Sequence, residues 1–168
     1  MDKKEILISR TLAEFGLSNF LQEDTPLAHL VNHLAEKTTP FFIPDFLEAW
    51  QGNDLWPQFA IWLLTDVRQY ANDATKPVID DLIALYARGD GTALEFEALE
   101  DRAWKVYDTT TSVTAAAARA AARAAAARTA ATWAEPAADA ATWAGKTTEA
   151  EWYAIACKKL LEIAKHAH

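Results

Sequence analysis

Apolar residues recur at intervals of three and four positions through most of the chain, the spacing that places them on one face of an α-helix. The first such segment runs from about Lys3 to Phe15 and the last ends near Ile163. No segment carries the pattern of a credible β-strand. The pattern predicts an all-α protein, a single multi-helix domain over residues 1–168 with about eight helices.

Capping-box pairs mark where two of these helices begin. Thr92 is followed three residues later by Glu95, and Thr148 by Glu151 in the same way. Gly89 follows an apolar helical segment and is predicted to end that helix, because glycine adopts the left-handed backbone that ends many helices. These residues predict that one helix ends at Gly89, that the next begins after Thr92, and that the last helix begins after Thr148.

Prolines predict the start of three further helices, because a proline in the first turn loses no intrahelical hydrogen bond. Thr25-Pro26 reads as an N-cap followed by the first helical residue, and Pro44 as the first residue of a short helix. Pro57 falls in the first turn of a strongly apolar helix that extends to about Tyr70. That helix must be largely buried.

An alanine-rich segment follows, in which nineteen of the thirty residues from Ala115 to Ala144 are alanine. Alanine is the best helix former, so the segment is predicted to be helical until Pro136 interrupts it. The run from Thr109 to Ser112 predicts a break before it. Because an alanine helix is thin, its neighbours must supply the large side chains, and we expect it to lie at the centre of the domain.

Composition narrows the classes of protein further. Hydrophobic residues make up 51% of the chain, but 36 residues are alanine, so the larger apolar residues must provide most of the burial. Cys157 is the single cysteine, which excludes an internal disulfide and a cysteine-rich metal site. No segment has the length and apolar character of a bilayer span, so we expect a cytoplasmic protein that does not enter a membrane.

Negative charge is concentrated in one part of the chain. Residues 1–110 contain 9 Lys/Arg and 19 Asp/Glu, a net charge of −10, whereas residues 111–168 contain 7 and 5, a net charge of +2. Such a surface repels nucleic acid and anionic lipid and attracts a basic partner. We therefore expect a protein partner, with no nucleic-acid or membrane binding.

Seven acidic residues cluster around two consecutive predicted helices: Asp80, Asp81, Asp90, Glu95, Glu97, Glu100 and Asp101. They alternate with the apolar positions and are therefore expected to face solvent. Three interpretations remain open, namely an ordinary solvated face, a docking surface for a basic protein, and general acid–base catalysis. Catalysis is the weakest of them because it needs a buried carboxyl with a raised pKa.

His29, His33 and Glu36 are the best candidates for metal ligands, since they fall within about 60° of one another on a helix. The apolar residues of this helix lie on the opposite side, so the three are expected to face water. The metalloprotease pattern H-E-x-x-H is absent. No cofactor is expected, and a metal-binding helical protein or enzyme using these residues is the alternative to a binding protein.

One part of the chain, from about Phe59 to Lys165, resembles a family of bacterial immunity proteins of polymorphic toxin systems, the Imm type five-like group. The resemblance is carried by FAIWLLTDVRQYAND, by KPVIDDLIALYARGDGT and by the two alanine-rich runs. Residues 86–90, Tyr-Ala-Arg-Gly-Asp, are similar to the family's W-A-R-G-E-like turn. The N-terminal helices of residues 1–55 lie outside the resemblance, and residues 56–168 form the alanine-rich helical core.

The resemblance implies a non-catalytic binder that neutralises a cognate toxin by covering its active site. With the charge distribution, it leads to the hypothesis of a protein-binding helical domain whose seven clustered carboxylates form the docking surface. An oligomeric scaffold with the alanine-rich helix at its interface is a further alternative. The sequence leaves the oligomeric state open.

Overall fold

The computed structural model describes residues 25–38, 42–107, 112–126 and 134–166. These residues form eight α-helices and no strand, which confirms the all-α prediction. The predicted first helix, from Lys3 to Phe15, lies outside the described residues. The helices are α1 Pro26–Lys37, α2 Phe42–Ala49, α3 Trp56–Arg68, α4 Lys76–Arg88, α5 Ala93–Tyr107, α6 Ser112–Ala125, α7 Ala134–Trp143 and α8 Glu149–His166.

The predicted helix caps are present. The Thr92 N–H donates to the Glu95 carboxylate at 2.8 Å, and the Glu95 N–H donates back to the Thr92 hydroxyl at 3.3 Å. Thr148 and Glu151 make the same reciprocal pair at the start of α8. Gly89 ends α4 with φ of 80°, a left-handed conformation that glycine adopts without steric cost. These local signals fix the ends of α4, α5 and α8.

The start of α2 differs from the prediction. The helix begins at Phe42, two residues before Pro44. Proline disfavours helical backbone at the residue before it, which is why the sequence predicts a start at Pro44. Pro44 still lies within the first turn, where its missing N–H has no intrahelical acceptor, so the extra residues cost no hydrogen bond.

The alanine-rich helix α6 is buried at the centre of the helices. It contacts α3, α4, α5 and α7. The helix has eight alanines that are at most 5% exposed, which are residues 116, 117, 118, 120, 121, 122, 124 and 125. The prediction of a slim central helix is therefore confirmed, and these alanine side chains are already covered by the chain itself.

The prediction that the alanine-rich segment continues as one helix to Pro136 is wrong. Helix α6 ends at Ala125, and α7 begins at Ala134 with Pro136 in its first turn. The two helices pack against each other side by side, as do α5 and α6 on either side of the predicted break. Side-by-side packing buries both alanine faces, whereas one long rod would leave much of its apolar surface in water.

The large side chains of the core come from the other helices, as a thin central helix requires. None of the largest fully buried side chains of the described residues belongs to α6 or α7. Examples are Phe46 of α2, Phe59 and Leu63 of α3, Leu82 of α4 and Leu160 of α8. One hydrophobic cluster contains residues from all eight helices.

A buried polar contact ties α6 to α3 and α4. The hydroxyl of Tyr86 donates to the Ala124 carbonyl at 2.5 Å and accepts from the indole N–H of Trp56 at 3.2 Å. Ala124 lies in the last turn of α6, where carbonyls lack intrahelical donors. Burial raises the pKa of Tyr86, so the hydroxyl keeps its proton and remains a donor.

Replacing Tyr86 by phenylalanine should destabilise the protein by about 1 to 3 kcal/mol, since the buried Ala124 carbonyl loses its donor and Trp56 loses an acceptor. Urea unfolding followed by circular dichroism measures the change. The control is Tyr70→Phe, because the hydroxyl of Tyr70 makes no hydrogen bond to the described residues and should be dispensable to within about 0.5 kcal/mol. Equal stability of the two variants would contradict this role for Tyr86.

Candidate docking surface

The seven acidic residues of the predicted docking surface fall into two groups in the structure. Four of them pair with arginines of the chain itself, and these are Asp80, Asp81, Asp90 and Glu95. The other three make no ion pair with any described residue, and these are Glu97, Glu100 and Asp101. All three lie on α5, which places the candidate surface on one helix rather than on two.

Two of the ion pairs connect neighbouring helices. Arg68 of α3 holds the Asp80 carboxylate at 2.7 Å and 3.1 Å through Nε and Nη2. This bidentate contact lowers the pKa of Asp80. Arg102 of α5 contacts Asp81 of α4 at 2.7 Å. The Asp80 and Asp81 carboxylates therefore link α4 to α3 and to α5.

Arg88 joins the end of α4 to the start of α5. Its guanidinium contacts Asp90 and also both carboxylate oxygens of Glu95, each at 2.8 Å. The hydrogen bond from Arg88, followed by that from the Thr92 N–H, lowers the pKa of Glu95 to about 2. Glu95 therefore serves as both an ion-pair partner and a helix cap, and it stays ionised at ordinary pH.

Two of the three remaining carboxylates, those of Glu97 and Asp101, lie on one exposed side of α5 together with two exposed apolar side chains. Leu94 is 77% exposed and Trp104 is 36% exposed. At about 100° per residue, Glu97 and Asp101 fall on the same face, between Leu94 and Trp104 along the helix. We call Leu94, Glu97, Asp101 and Trp104 the outer face of α5.

Trp104 is held in place although part of its ring is exposed. Its indole N–H donates to the Glu100 carboxylate at 3.4 Å, and its ring meets the edge of Tyr107 at 5.5 Å between centroids. An exposed tryptophan that is already ordered loses little conformational entropy when a partner covers it. Tryptophan is also the residue type most enriched among the residues that dominate protein–protein affinity.

A groove between α4 and α5 runs beside the outer face. Its volume is about 370 Å³, and its apolar lining comes from Ala84 and Leu85 of α4 with Ala98 and Leu99 of α5. Gly91 lets Leu85 and Phe96 pack closely against the turn, because a Cβ at this position would lie 2.9 Å from Leu85 and 2.8 Å from Phe96. The groove is apolar at its base and carries charges at its edges.

The candidate metal ligands of α1 are not arranged as a ligand set. His33 Nε2 lies 3.1 Å from the Tyr153 hydroxyl of α8, and the two rings pack edge to face. The prediction that His29, His33 and Glu36 all face water is therefore wrong for His33. In the part of the chain that the structure describes, no group of three or more His, Cys, Asp or Glu side chains could hold a metal ion.

Two other ionisable groups are buried or half-buried. Burial raises the pKa of Cys157 to about 11, against a weak hydrogen bond to Thr38, so its thiol keeps its proton at neutral pH. Burial also raises the pKa of Asp66, although the Trp152 indole N–H donates to its carboxylate at 3.2 Å. Asp66 anchors α8 to α3, which accounts for its position.

Sequence analysis missed the two apolar residues of the outer face. Leu94 and Trp104 are exposed, whereas the buried residues of this helix are Leu99 and Ala103. A helical-wheel comparison could have found them, because Leu94 and Trp104 lie on the side of Glu97 and Asp101 rather than with Leu99 and Ala103. It also missed the arginines that pair with four of the acidic residues, because residue spacing along one helix does not reveal contacts between helices.

Comparison with known proteins identifies no relative. No protein-family model matches the chain, and no curated protein or solved structure matches it. Among the helices that the structure describes, none combines the length and apolar character needed to cross a bilayer.

Replacing Arg88 by glutamine should raise the pKa of Glu95 from about 2 toward its ordinary value of 4.5, without reaching it, because the Thr92 N–H still donates. A carbon-detected NMR titration of the carboxyl groups measures the midpoint. Asp80, which pairs with Arg68, should titrate as in the wild type and is the internal control.

The same substitution should change how stability depends on pH. The lowered pKa of Glu95 contributes stability that is present above pH 4.5 and is lost as the pH falls toward about 2, because the unfolded chain binds the proton first. Wild-type stability should therefore fall more steeply than that of the variant across this window. An unchanged Glu95 midpoint in the variant would contradict the assignment.

Proposed function

We propose that the protein is a non-catalytic helical domain that binds a basic protein through the outer face of α5, as an immunity protein binds its cognate toxin. The observation that carries the proposal is the combination on one helix face of exposed Leu94 and Trp104 with carboxylates that have no arginine partner in the described part of the chain. Apolar anchors and uncompensated charge together are typical of a protein interface.

The charge of the chain supports a basic partner. Residues 1–110, which include α5, carry a net charge of −10. A field of this sign accelerates the encounter with a positively charged protein and repels nucleic acid. Since four of the seven clustered carboxylates are neutralised internally, Glu97, Glu100 and Asp101 are the ones available to pair with a partner.

The chemistry of the carboxylates supports binding rather than catalysis. A general acid needs a carboxyl whose pKa is raised toward neutrality. Arginine contacts instead lower the pKa of Asp80 and Glu95. Asp66 has a raised pKa, but its carboxylate is engaged by the Trp152 indole.

The more specific role, neutralising a toxin, rests on the sequence resemblance to immunity proteins. The turn that carries much of this resemblance is compatible with a structural part in such a domain. Tyr86 caps α6, Arg88 joins α4 to α5, and Gly89 ends α4. This turn sets the position of α5 and hence of its outer face.

The scaffold alternative gains no support, because the alanine face that it needs is covered by α3, α4, α5 and α7. The metal-binding alternative has no ligand cluster in the described residues. Metal analysis of the purified protein tests it directly.

Reversing the three unpaired charges by Glu97→Lys, Glu100→Lys and Asp101→Lys should weaken partner binding by about 100-fold or more, since like charges set against a basic surface cost several kcal/mol. The partner is first isolated on the tagged wild-type protein and identified by mass spectrometry. Its affinity for both proteins is then measured with purified components at two salt concentrations.

The matched control carries Glu36→Lys, Glu48→Lys and Asp73→Lys, an equal change of charge at exposed positions that make no ion pair with described residues. It should reduce affinity only modestly, through the weaker long-range attraction. Circular dichroism verifies that both variants fold. An isolated partner that is acidic, or an affinity unchanged by the α5 reversal, would refute the proposed function.

A further inference from the structure

An aromatic ring and three carboxylates surround Trp104 on α5. At about 100° per residue, four side chains fall within about 60° of Trp104 around the helix. They are Glu97, Glu100, Asp101 and Tyr107. Glu100 accepts the hydrogen bond of the Trp104 indole, and Tyr107 contacts the indole ring. We call Trp104, Tyr107, Glu100 and Asp101 the Trp104 site.

The two rings of the Trp104 site meet at a right angle. Their planes are 86° apart and their centroids 5.5 Å apart, so neither ring is stacked flat on the other. Trp104 is 36% exposed and Tyr107 is half-buried, so solvent reaches part of the pair. A tryptophan ring attracts a cation more strongly than the other aromatic rings do, and carboxylates beside it add to that attraction. The site therefore combines the groups that bind a cation.

The chain's own cations are directed elsewhere. Arg102 lies about 160° from Trp104 around α5 and contacts Asp81 of α4. Lys105 lies about 100° from Trp104 and makes no ion pair with a described residue. The carboxylates beside Trp104 are therefore not neutralised by any cation in the part of the chain that the structure describes.

We infer that the Trp104 site binds an arginine side chain of the partner protein, an inference that rests on the proposed function and specifies one of its contacts. The guanidinium lies against the Trp104 ring, with Tyr107 beside it, and its N–H groups donate to the carboxylates of Glu100 and Asp101. Glu100 can accept such a bond while it holds the indole N–H, because an ionised carboxylate has about four acceptor positions.

Arginine fits this site better than lysine. A guanidinium is planar, so it stacks on an indole ring while the N–H groups at its edge reach neighbouring carboxylates. An ammonium ion is a compact and strongly hydrated charge that gains less from contact with a ring. Because Glu100 and Tyr107 already hold Trp104, binding removes little rotamer freedom from the indole.

Short peptides with uncharged flanking residues test the inference on the full chain. One contains a single arginine, one has citrulline in its place, which keeps the shape without the charge, and one has lysine. A two-dimensional NMR titration follows the Trp104 indole N–H signal, identified by its loss in Trp104→Phe. We expect the arginine peptide to bind with a Kd on the order of 1 mM, the lysine peptide about threefold more weakly, and the citrulline peptide at least about tenfold more weakly.

The indole of Trp50 is the internal control. It is half-buried and its N–H donates to the Asn53 carbonyl at 2.6 Å, a neutral acceptor rather than a carboxylate. Its signal should stay in place while that of Trp104 moves. A shift of equal size at both indoles would show non-specific association of the peptide and contradict the assignment.

Two single substitutions separate charge from shape. Glu100→Gln removes the charge but keeps an oxygen that can accept from the Trp104 indole, so affinity for the arginine peptide should fall about fivefold or more with the ring in place. The matched control, Glu48→Gln, removes the same charge at an exposed position of α2 and should change affinity by less than about twofold. Circular dichroism verifies that both variants fold.

The inference is overturned if no peptide shifts the Trp104 signal, if the lysine or citrulline peptide binds as tightly as the arginine peptide, or if the Glu100 and Glu48 variants lose affinity equally. Each of these results leaves the proposed function standing when the isolated partner still depends on Glu97, Glu100 and Asp101. Loss of that dependence, with arginine-peptide binding intact, removes the proposed function and leaves the Trp104 site.

Discussion

Close packing around a helix of small side chains is the constraint on which this structure depends. Because α6 is lined with alanine, neighbouring helices must approach it closely, and they must carry the volume that it lacks. Phe59 and Leu63 of α3 and Leu82 of α4 provide that volume. Close packing also keeps water away from the carbonyls at the end of α6. The Tyr86 hydroxyl donates the hydrogen bond that the Ala124 carbonyl would otherwise lack. The central helix is therefore structural, and the partner surface proposed for this protein lies on one of the helices that surround it.

That surface is proposed on helix α5. It packs along α6, yet its buried residues are only Leu99 and Ala103. Because the buried face of α5 is narrow, more of its side chains are exposed to solvent than in a helix with a wide buried face. The capping box at Thr92 and the contacts from Arg88 and Arg102 also link the start and middle of α5 to α4. The same ion pairs therefore help to orient the helix whose outer face is proposed to bind a partner.

Four of the seven clustered carboxylates form ion pairs with arginines, so the unpaired negative charge of this cluster lies on α5 alone. A sequence count treats the seven carboxylates alike, but arginines neutralise the four nearest to α4 and leave three on α5. Charge that is already paired contributes little to a new interface, since a partner would first have to break the existing contacts. The unpaired charges sit next to Leu94 and Trp104, so long-range attraction and short-range apolar contact coincide on one face. On a binding surface, long-range attraction between charges raises the association rate, and close apolar contact adds specificity.

The sequence by itself determined the features that depend on contacts within a helical turn. The helical class, the capping boxes at Thr92 and Thr148 and the glycine end of α4 follow from spacing and backbone preference, which act over three or four residues. Tertiary structure alone decided the rest of the site. Arg102 meets Asp81 across 21 residues of chain, and His33 meets Tyr153 across 120, because helix packing brings them together. The division of the alanine-rich segment into α6 and α7 was also decided there, since alanine favours helix everywhere along it and only side-by-side burial distinguishes two helices from one.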